Sequence, residues 1–246
     1  MPRLHRDVMK PIIDEVVSGR RPAGEMLPRE VDLAAQFGVS RGVARETIRA
    51  LEERGLIVVK HGRGATVTDA EQWNVLDPHV LSALLDSDRG GKVLAQYLEC
   101  RRILEVEAAG LAAERATRKQ VKVIAAALER MEEAVAAEPG PAAEAAFHEA
   151  DVSFHQALIA ATGNQPLGAL TDRLHSALVV ARYPLARPQH REERALPEHR
   201  RLLAAVEAHD PDEARQAMSD HLDTIARYLR EHTTRSRRRT RRARAA

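Results

Sequence analysis

Only one cysteine, Cys100, occurs in the 246 residues. A lone thiol cannot close an intrachain disulfide, which excludes a disulfide scaffold and makes a reducing compartment the expectation. Aromatic side chains make up 3% of the sequence, so any core must be filled by Ala, Leu, Val and Ile, a composition that favours helix. No stretch approaches the roughly 18 consecutive apolar residues that read as a membrane span. The opening MPRLHRDVMK lacks the apolar run of a secretion signal. A cytoplasmic location with no membrane partner is therefore expected. Also missing are a phosphate-cradling glycine loop and any spacing that pairs a nucleophile with an activating base. Nothing marks the chain as an enzyme.

What is present is an ordinary soluble balance, 44% hydrophobic and 30% charged, with length enough for two modest domains. The formal net charge of +2 conceals a segregation. Residues 1–70 carry 12 Lys/Arg against 10 Asp/Glu, residues 71–232 carry 19 against 26, and residues 233–246 carry seven Arg and no acid. An acidic middle leaves the two ends to meet any polyanion.

Val8, Ile12, Ile13 and Val16 recur at helical spacing and predict a helix over about 5–18, which Pro11 weakens or kinks. After the Gly/Pro-rich GRRPAGEMLP, a short helix is predicted over 30–37 with Val31, Ala34 and Phe37 inward, and Gly38 turns the chain. Ser40 suits the N-cap of a helix over 41–54 whose apolar line is Ala44, Ile48 and Leu51, ended by Gly55. Two short helices across a tight glycine turn form the helix-turn-helix pattern. LIVVK and ATVT, flanking an HGRG turn, read as a two-stranded wing. Asp77-Pro78 opens a helix in a connecting segment. Beyond it, Gly90-Gly91, Thr117 with Gln120, Gly140-Pro141, Gly163-Asn164, Pro184 to Pro188 and Asp210-Pro211 punctuate six or seven helices of an antiparallel bundle. The predicted fold is mostly α: a winged helix-turn-helix over 1–70, a linker and connecting helix over 71–91, a helical bundle over 92–232 and a disordered arginine-rich tail over 233–246.

Arg41, Arg45 and Arg49 follow one another at i, i+4 and i+8, opposite the apolar line of their helix. A helix in the major groove needs this division, one side holding it to its domain and long cations facing phosphates and base edges. Gly42 permits close approach of the backbone, and Lys60, His61, Gly62 and Arg63 lie at the wing tip. Three arginines alone are more often a solvated face. Their place after a helix-turn and before a hairpin points to double-stranded DNA. The stretch MLPREVDLAAQFGVSRGVARETIRALEERGLIVVKHGRGATV resembles the DNA-binding domain of the GntR family of bacterial regulators. Leu27, Pro28, Glu30, Val39, Ser40, Arg41, Arg45, Glu46, Leu51, Gly55, Leu56, Gly62, Gly64 and Val67 match its pattern. Val31 and Gly42 depart from it, at positions where many members carry an arginine and a polar residue. The resemblance implies DNA contacts by Ser40, Arg41, Arg45, His61 and Gly62.

Asp151 and His155 are one helical turn apart, and His199 and His221 fall in two later helices. One carboxylate and three imidazoles converging in a bundle would make a metal site with room for an exogenous ligand. By spacing alone the Asp151/His155 pair is more often a helix salt bridge than a metal site, and His148 is a rival ligand. A metallohydrolase is the competing class, but His148-Glu149-Ala150-Asp151-Val152 is not HExxH. An architectural DNA binder, with no pocket at all, is a third reading. Residues 92–232 resemble the effector domain of the FadR-type branch of the same family. The likeness rests on Arg101-x-x-x-Glu105, Asp151-x-x-Phe154-His155, Thr162-Gly163-Asn164, Glu198-His199 and His221-Leu222. It implies a divalent metal, commonly zinc, on Asp151, His155, His199 and His221, with Arg101 facing a carboxylate effector. The alternatives are an Arg101–Glu105 surface pair, and for Asn164 a helix cap instead of a pocket residue. Trp73 to Pro78 resembles the linker of members that respond to sugar acids. The resemblance further implies a homodimer on a pseudo-palindromic operator and repression relieved by the effector.

Overall fold

The computed structural model describes residues 3–60, 62, 64–180 and 191–244. Among them are ten α-helices and one two-stranded antiparallel sheet. The chain divides into two compact units. The first contains Met1–Leu94 and the end of the eighth helix from residue 176, and the second contains Ala95–His175 together with the last two helices.

In the first unit, α1 (Arg3–Val17) runs through Pro11, whose ring is exposed, and buries Val8, Ile12, Ile13 and Val16 as their spacing predicts. Helix α2 (Glu30–Phe37) stops at Gly38, which adopts the left-handed φ of 63° and donates its N–H back to the helix. The buried face of α2 differs from expectation: Leu33 and Ala34 are inside, and Val31 is 51% exposed. At 100° per residue the larger Leu33 turns inward and carries Val31 roughly 100° off the buried face. Helix α3 (Arg41–Glu53) begins where Ser40 Oγ accepts the Val43 N–H at 3.3 Å, which satisfies one of the donors a helix start leaves over. Ala44, Thr47, Ala50 and Leu51 are buried and Ile48 is half-buried.

Gly55 closes this segment. Its φ is +69°, and a Cβ there would lie 2.0 Å from the Gln72 carbonyl oxygen, so no other residue fits without moving the backbone. Strands β1 (Ile57–Lys60) and β2 (Gly64–Val67) pair from Ile57↔Val67 to Lys60↔Gly64, forming the expected wing. A 3₁₀ turn (Ala70–Gln72) leads to α4 (Pro78–Asp86), capped by Asp77 with Pro78 in its first turn. Val80, Ala83 and Leu84 of α4 join one core with α1, α2, α3 and the hairpin. The connecting helix is therefore part of the first compact unit, because its apolar face covers α1.

The chain passes into the second unit within α5 (Gly90–Arg115). The break expected at Gly90-Gly91 is present, since α4 ends at Asp86 and α5 starts at Gly90, where a Cβ would meet the Leu85 carbonyl oxygen at 2.0 Å. Helices α6 (Arg118–Ala136), α7 (Pro141–Ala161), α8 (Gln165–Val180), α9 (Arg191–Glu207) and α10 (Pro211–Arg244) complete six helices. Thr117 and Gln120 form a reciprocal capping box at α6, and Asp210 caps α10 through the Glu213 N–H. Helix α6 packs on α7 and α9, and α9 packs on α10, around Ile124, Leu128, Met131, Phe154, Leu158, Val206 and Met218. The break expected at Pro184 to Pro188 lies outside the described residues. The arginine-rich end departs from expectation, since α10 continues as helix to Arg244. Arginine is a good helix former, and extending an existing helix avoids the cost of nucleation.

Candidate DNA interface and metal centre

The first candidate site is the outer face of α3. Arg41, Arg45 and Arg49 are all exposed on it, opposite the buried Ala44 and Leu51. Arg49 has only a loose, exposed pairing with Glu46 at 3.5 Å, which is worth little in water. Gly42 is exposed, and a Cβ there would meet only Ser40 Oγ at 3.6 Å, an ordinary contact. Nothing inside the protein requires glycine at 42. Gly62 forms the wing turn at φ +75°, and its neighbours His61 and Arg63 lie outside the described residues.

The second site is buried. Asp151 and His155 on α7, His199 on α9 and His221 on α10 are each less than a tenth exposed. His155, His199 and His221 can each bring a ring nitrogen within 4.8 Å of the others. His155 Nε2 lies 3.3 Å from His199 Nε2, and Asp151 Oδ1 lies 3.1 Å from His199 Nε2 and 3.9 Å from His155 Nε2.

The far nitrogens fix what the near ones present. His199 Nδ1 donates to the Ala195 carbonyl at 2.7 Å; a carbonyl only accepts, so the neutral ring offers a lone pair at Nε2. His221 Nδ1 is 2.8 Å from Glu198 Oε2, which likewise directs its Nε2 to coordination. Burial pushes the His155 imidazole well below its ordinary range; Asp151 opposes this, and the His199 and His221 rings reinforce it. Lone pairs and a carboxylate thus converge in a space with little water. Tetrahedral coordination at about 2.0–2.1 Å per nitrogen sets ligand atoms about 3.3 Å apart. The donor set and its spacing fit a divalent cation. Among the described residues His155, His199 and His221 are the group whose ring nitrogens could share one ion; Asp151 lies beside that group, within 3.1 Å of His199 Nε2, and His148, the rival ligand, is outside it.

Beside this cluster, Arg101 Nε and Nη2 donate to Glu105 Oε1 and Oε2 at 2.6 and 3.1 Å. The pair is the i,i+4 bridge left open by the sequence, but it is buried: Arg101 is 7% and Glu105 1% exposed. His175 on α8 is 2.8 Å from Glu105 Oε1, and His155 Nδ1 is 3.9 Å from Glu105 Oε2. Burial raises the Glu105 carboxyl, but Arg101 and His175 outweigh it and hold the group well below the usual carboxylate range. Asn164 is exposed, and its Oδ1 accepts the Leu167 N–H at 3.2 Å at the start of α8. It takes the capping role.

A family profile described as "Bacterial regulatory proteins, gntR family" matches residues 4–67, and one described as "FCD domain" matches residues 96–224. The chain belongs to the GntR family. Similar proteins include the galactonate operon transcriptional repressor of Escherichia coli K12, 33% identical over 223 residues, spanning 89% of this chain and 93% of that one. The HTH-type transcriptional repressor NanR of the same organism is 32% identical over 209 residues, spanning 82% and 75%. A solved structure of E. coli McbR/YncC shares the fold at a TM-score of 0.53, with 19% identity over 95% of this chain and 100% of that one. This GntR protein is thus a transcription regulator, not an enzyme, with an FCD domain behind its winged helix-turn-helix. Among the described residues no helix is long and apolar enough to cross a membrane.

Sequence reasoning missed His175 and the anchoring carbonyl of Ala195. His175 stands 70 residues from its partner Glu105, and no local spacing advertises such a contact.

Proposed function

We propose that this regulator is a repressor whose hold on operator DNA is set by a small carboxylate bound at a metal centre. A homodimer presents two copies of α3 and the wing to a pseudo-palindromic duplex. Ser40, Arg41, Gly42, Arg45, Arg49, Gly62 and the flanking His61 and Arg63 make the DNA contacts. The arginines of 233–246 add salt-sensitive, sequence-independent affinity, and deleting them should flatten the salt dependence of binding.

Asp151, His155, His199 and His221 hold a divalent cation, zinc by its donor set. When bound, the cation supplies a Lewis acid for a carboxylate oxygen. Arg101 keeps its Nη1 side for the second oxygen while Glu105 fixes the guanidinium plane. The name of the galactonate operon repressor makes a hydroxylated sugar acid the leading effector class. The observation that carries this reading is the convergence of three imidazoles and Asp151 in the second unit of a chain whose first unit is built for DNA.

The test is operator binding by fluorescence anisotropy, with zinc-loaded and metal-stripped protein, against a panel of sugar acids that includes galactonate. Release by one acid only when zinc is present is the expected result. Identical binding in all arms would defeat the regulatory reading.

A further inference from the structure

The DNA-reading helix and the connecting helix are joined by a largely buried ion pair. Arg54 is the residue that ends α3. Its side chain folds back so that Nη1 donates to the Ala50 carbonyl at 2.7 Å, and its Nε lies 3.1 Å from Asp77 Oδ2. The two side chains are 9% and 14% exposed. Asp77 divides its carboxylate between two tasks. Oδ1 accepts the His79 and Val80 N–H groups at 2.9 and 3.3 Å and so caps α4, while Oδ2 faces Arg54. The backbone repeats the link, since the Arg54 carbonyl accepts the Asn74 N–H at 2.8 Å and Gly55 packs on the Gln72 carbonyl. The imidazole of His79, 3.5 Å from Oδ1, is the other titratable group at this carboxylate.

We infer that Arg54 and Asp77 form a clasp that positions α3 for DNA by fixing it to the first turn of α4, so that a shift of the connecting helix is passed to the DNA-reading helix through this pair. A buried pair held at both ends by helix backbone cannot slide continuously; it is made or broken. Both residues are positioning residues, and neither touches DNA. The inference rests on α3 being the DNA-contacting helix. It adds the route by which α4, the segment leading toward the effector domain, acts on that helix.

The test uses the full chain and a duplex selected by the wild-type protein from a randomised library. Asp77→Asn keeps Oδ1 and therefore the α4 cap, since Asn is a good N-cap, but replaces the oxygen facing Arg54 with an amide NH₂. Arg54→Gln removes the charge from the other side. Each should weaken duplex binding about tenfold, and the double variant should be no weaker than the poorer single one, because the two act as one unit. Hydrogen exchange separates positioning from simple loss of stability. Saturating duplex should slow exchange of the amides of both α3 and the first turn of α4 in the wild type, but of α3 alone in Asp77→Asn. Wild-type affinity in both single variants, additive losses in the double, or duplex protection of α4 that survives Asp77→Asn would each overturn the clasp. A selection that yields no duplex would remove the DNA reading and the clasp with it.

Discussion

Zinc should stabilise the second unit, and the size of the effect follows from the ligand set. Four polar side chains meet in the bundle, two of the rings have their outer nitrogens committed to Ala195 and Glu198, and burial pushes the His155 imidazole well below its ordinary range. Little reorganisation is needed, so binding energy passes into folding energy. At free zinc a hundred times the dissociation constant, linkage contributes about 2.7 kcal/mol. For domains of roughly 150–250 residues each kcal/mol moves the melting temperature by about 2–4 °C, so a rise of about 5–11 °C is expected. Differential scanning calorimetry in chelator and in a zinc buffer measures it, with the dissociation constant taken from a competition titration. His199→Ala removes the imidazole nearest to both Asp151 and His155. If it weakens binding about a hundredfold, the same free zinc leaves about 0.4 kcal/mol, or under about 2 °C. A wild-type protein indifferent to zinc, or a His199→Ala variant that gains as much, would refute the site.

Four further outcomes are expected. Arg45→Ala should cost about 1–3 kcal/mol of operator affinity with unchanged circular dichroism; unchanged affinity in a gel shift would remove α3 as the reading element. Ser40→Ala deletes the α3 cap and should lower stability by about 1 kcal/mol in urea titrations, and a value near zero would show the cap to be idle. Gly55→Ala forces both a left-handed φ and a contact with the Gln72 carbonyl, so it should cost more than about 2 kcal/mol; a smaller loss would mean that the junction yields. Burial raises the Asp77 carboxyl, but His79, Arg54 and two backbone N–H groups together hold it below its ordinary value. Its contribution is then complete above the unfolded value of about 3.9 and is lost as pH falls through the lower folded one. Asp77→Asn should therefore lose less stability than wild type between pH 6 and pH 3, and parallel losses would contradict this.

The parts of the fold that were legible in the sequence are those set by local chemistry. Ser40, Gly38, Thr117 with Gln120, and Asp77-Pro78 act within a turn of themselves, so their text predicts the caps and stops that appear. The buried stripe of α1 follows from periodicity alone. Val31 and Leu33 were harder, because an eight-residue helix shows too little of its period to decide which apolar side chain turns inward. The tail misled by composition: charge and the lack of an apolar face suggest disorder, yet arginine carries α10 onward to Arg244. At the candidate site the Asp151/His155 spacing and the two later histidines were visible in the sequence, but only the family resemblance favoured a metal over a helix salt bridge. Glu105 looked like a surface partner for Arg101, and its burial depends on α8 arriving with His175 from 70 residues away. Tertiary contacts of that range leave no periodic trace.

The buried cluster makes a poor stability device, and this bears on why it exists. His155 and His199 lie edge-on to Phe154, at ring separations of 5.8 and 4.8 Å, in surroundings where aliphatic side chains of similar volume would pack at lower cost. Burying polar groups is unfavourable unless each finds its partner, and replacing such clusters with apolar residues is often neutral or stabilising. A fold that only needed to close α7 against α9 and α10 would not choose three imidazoles and a carboxylate. A cation held as proposed would reverse the balance, since one ion would tie residues 151, 155, 199 and 221 of three separate helices together. On the proposed function, such an ion would make those helices sensitive to whatever anion joined it, because a new ligand would alter the geometry that all three share. Substituting the set by Leu and Phe of matched volume should then give a protein at least as stable as the metal-stripped form, still able to bind its operator, and blind to zinc and carboxylate alike. Retained release by a carboxylate in that variant would mean that the signal enters the molecule somewhere else.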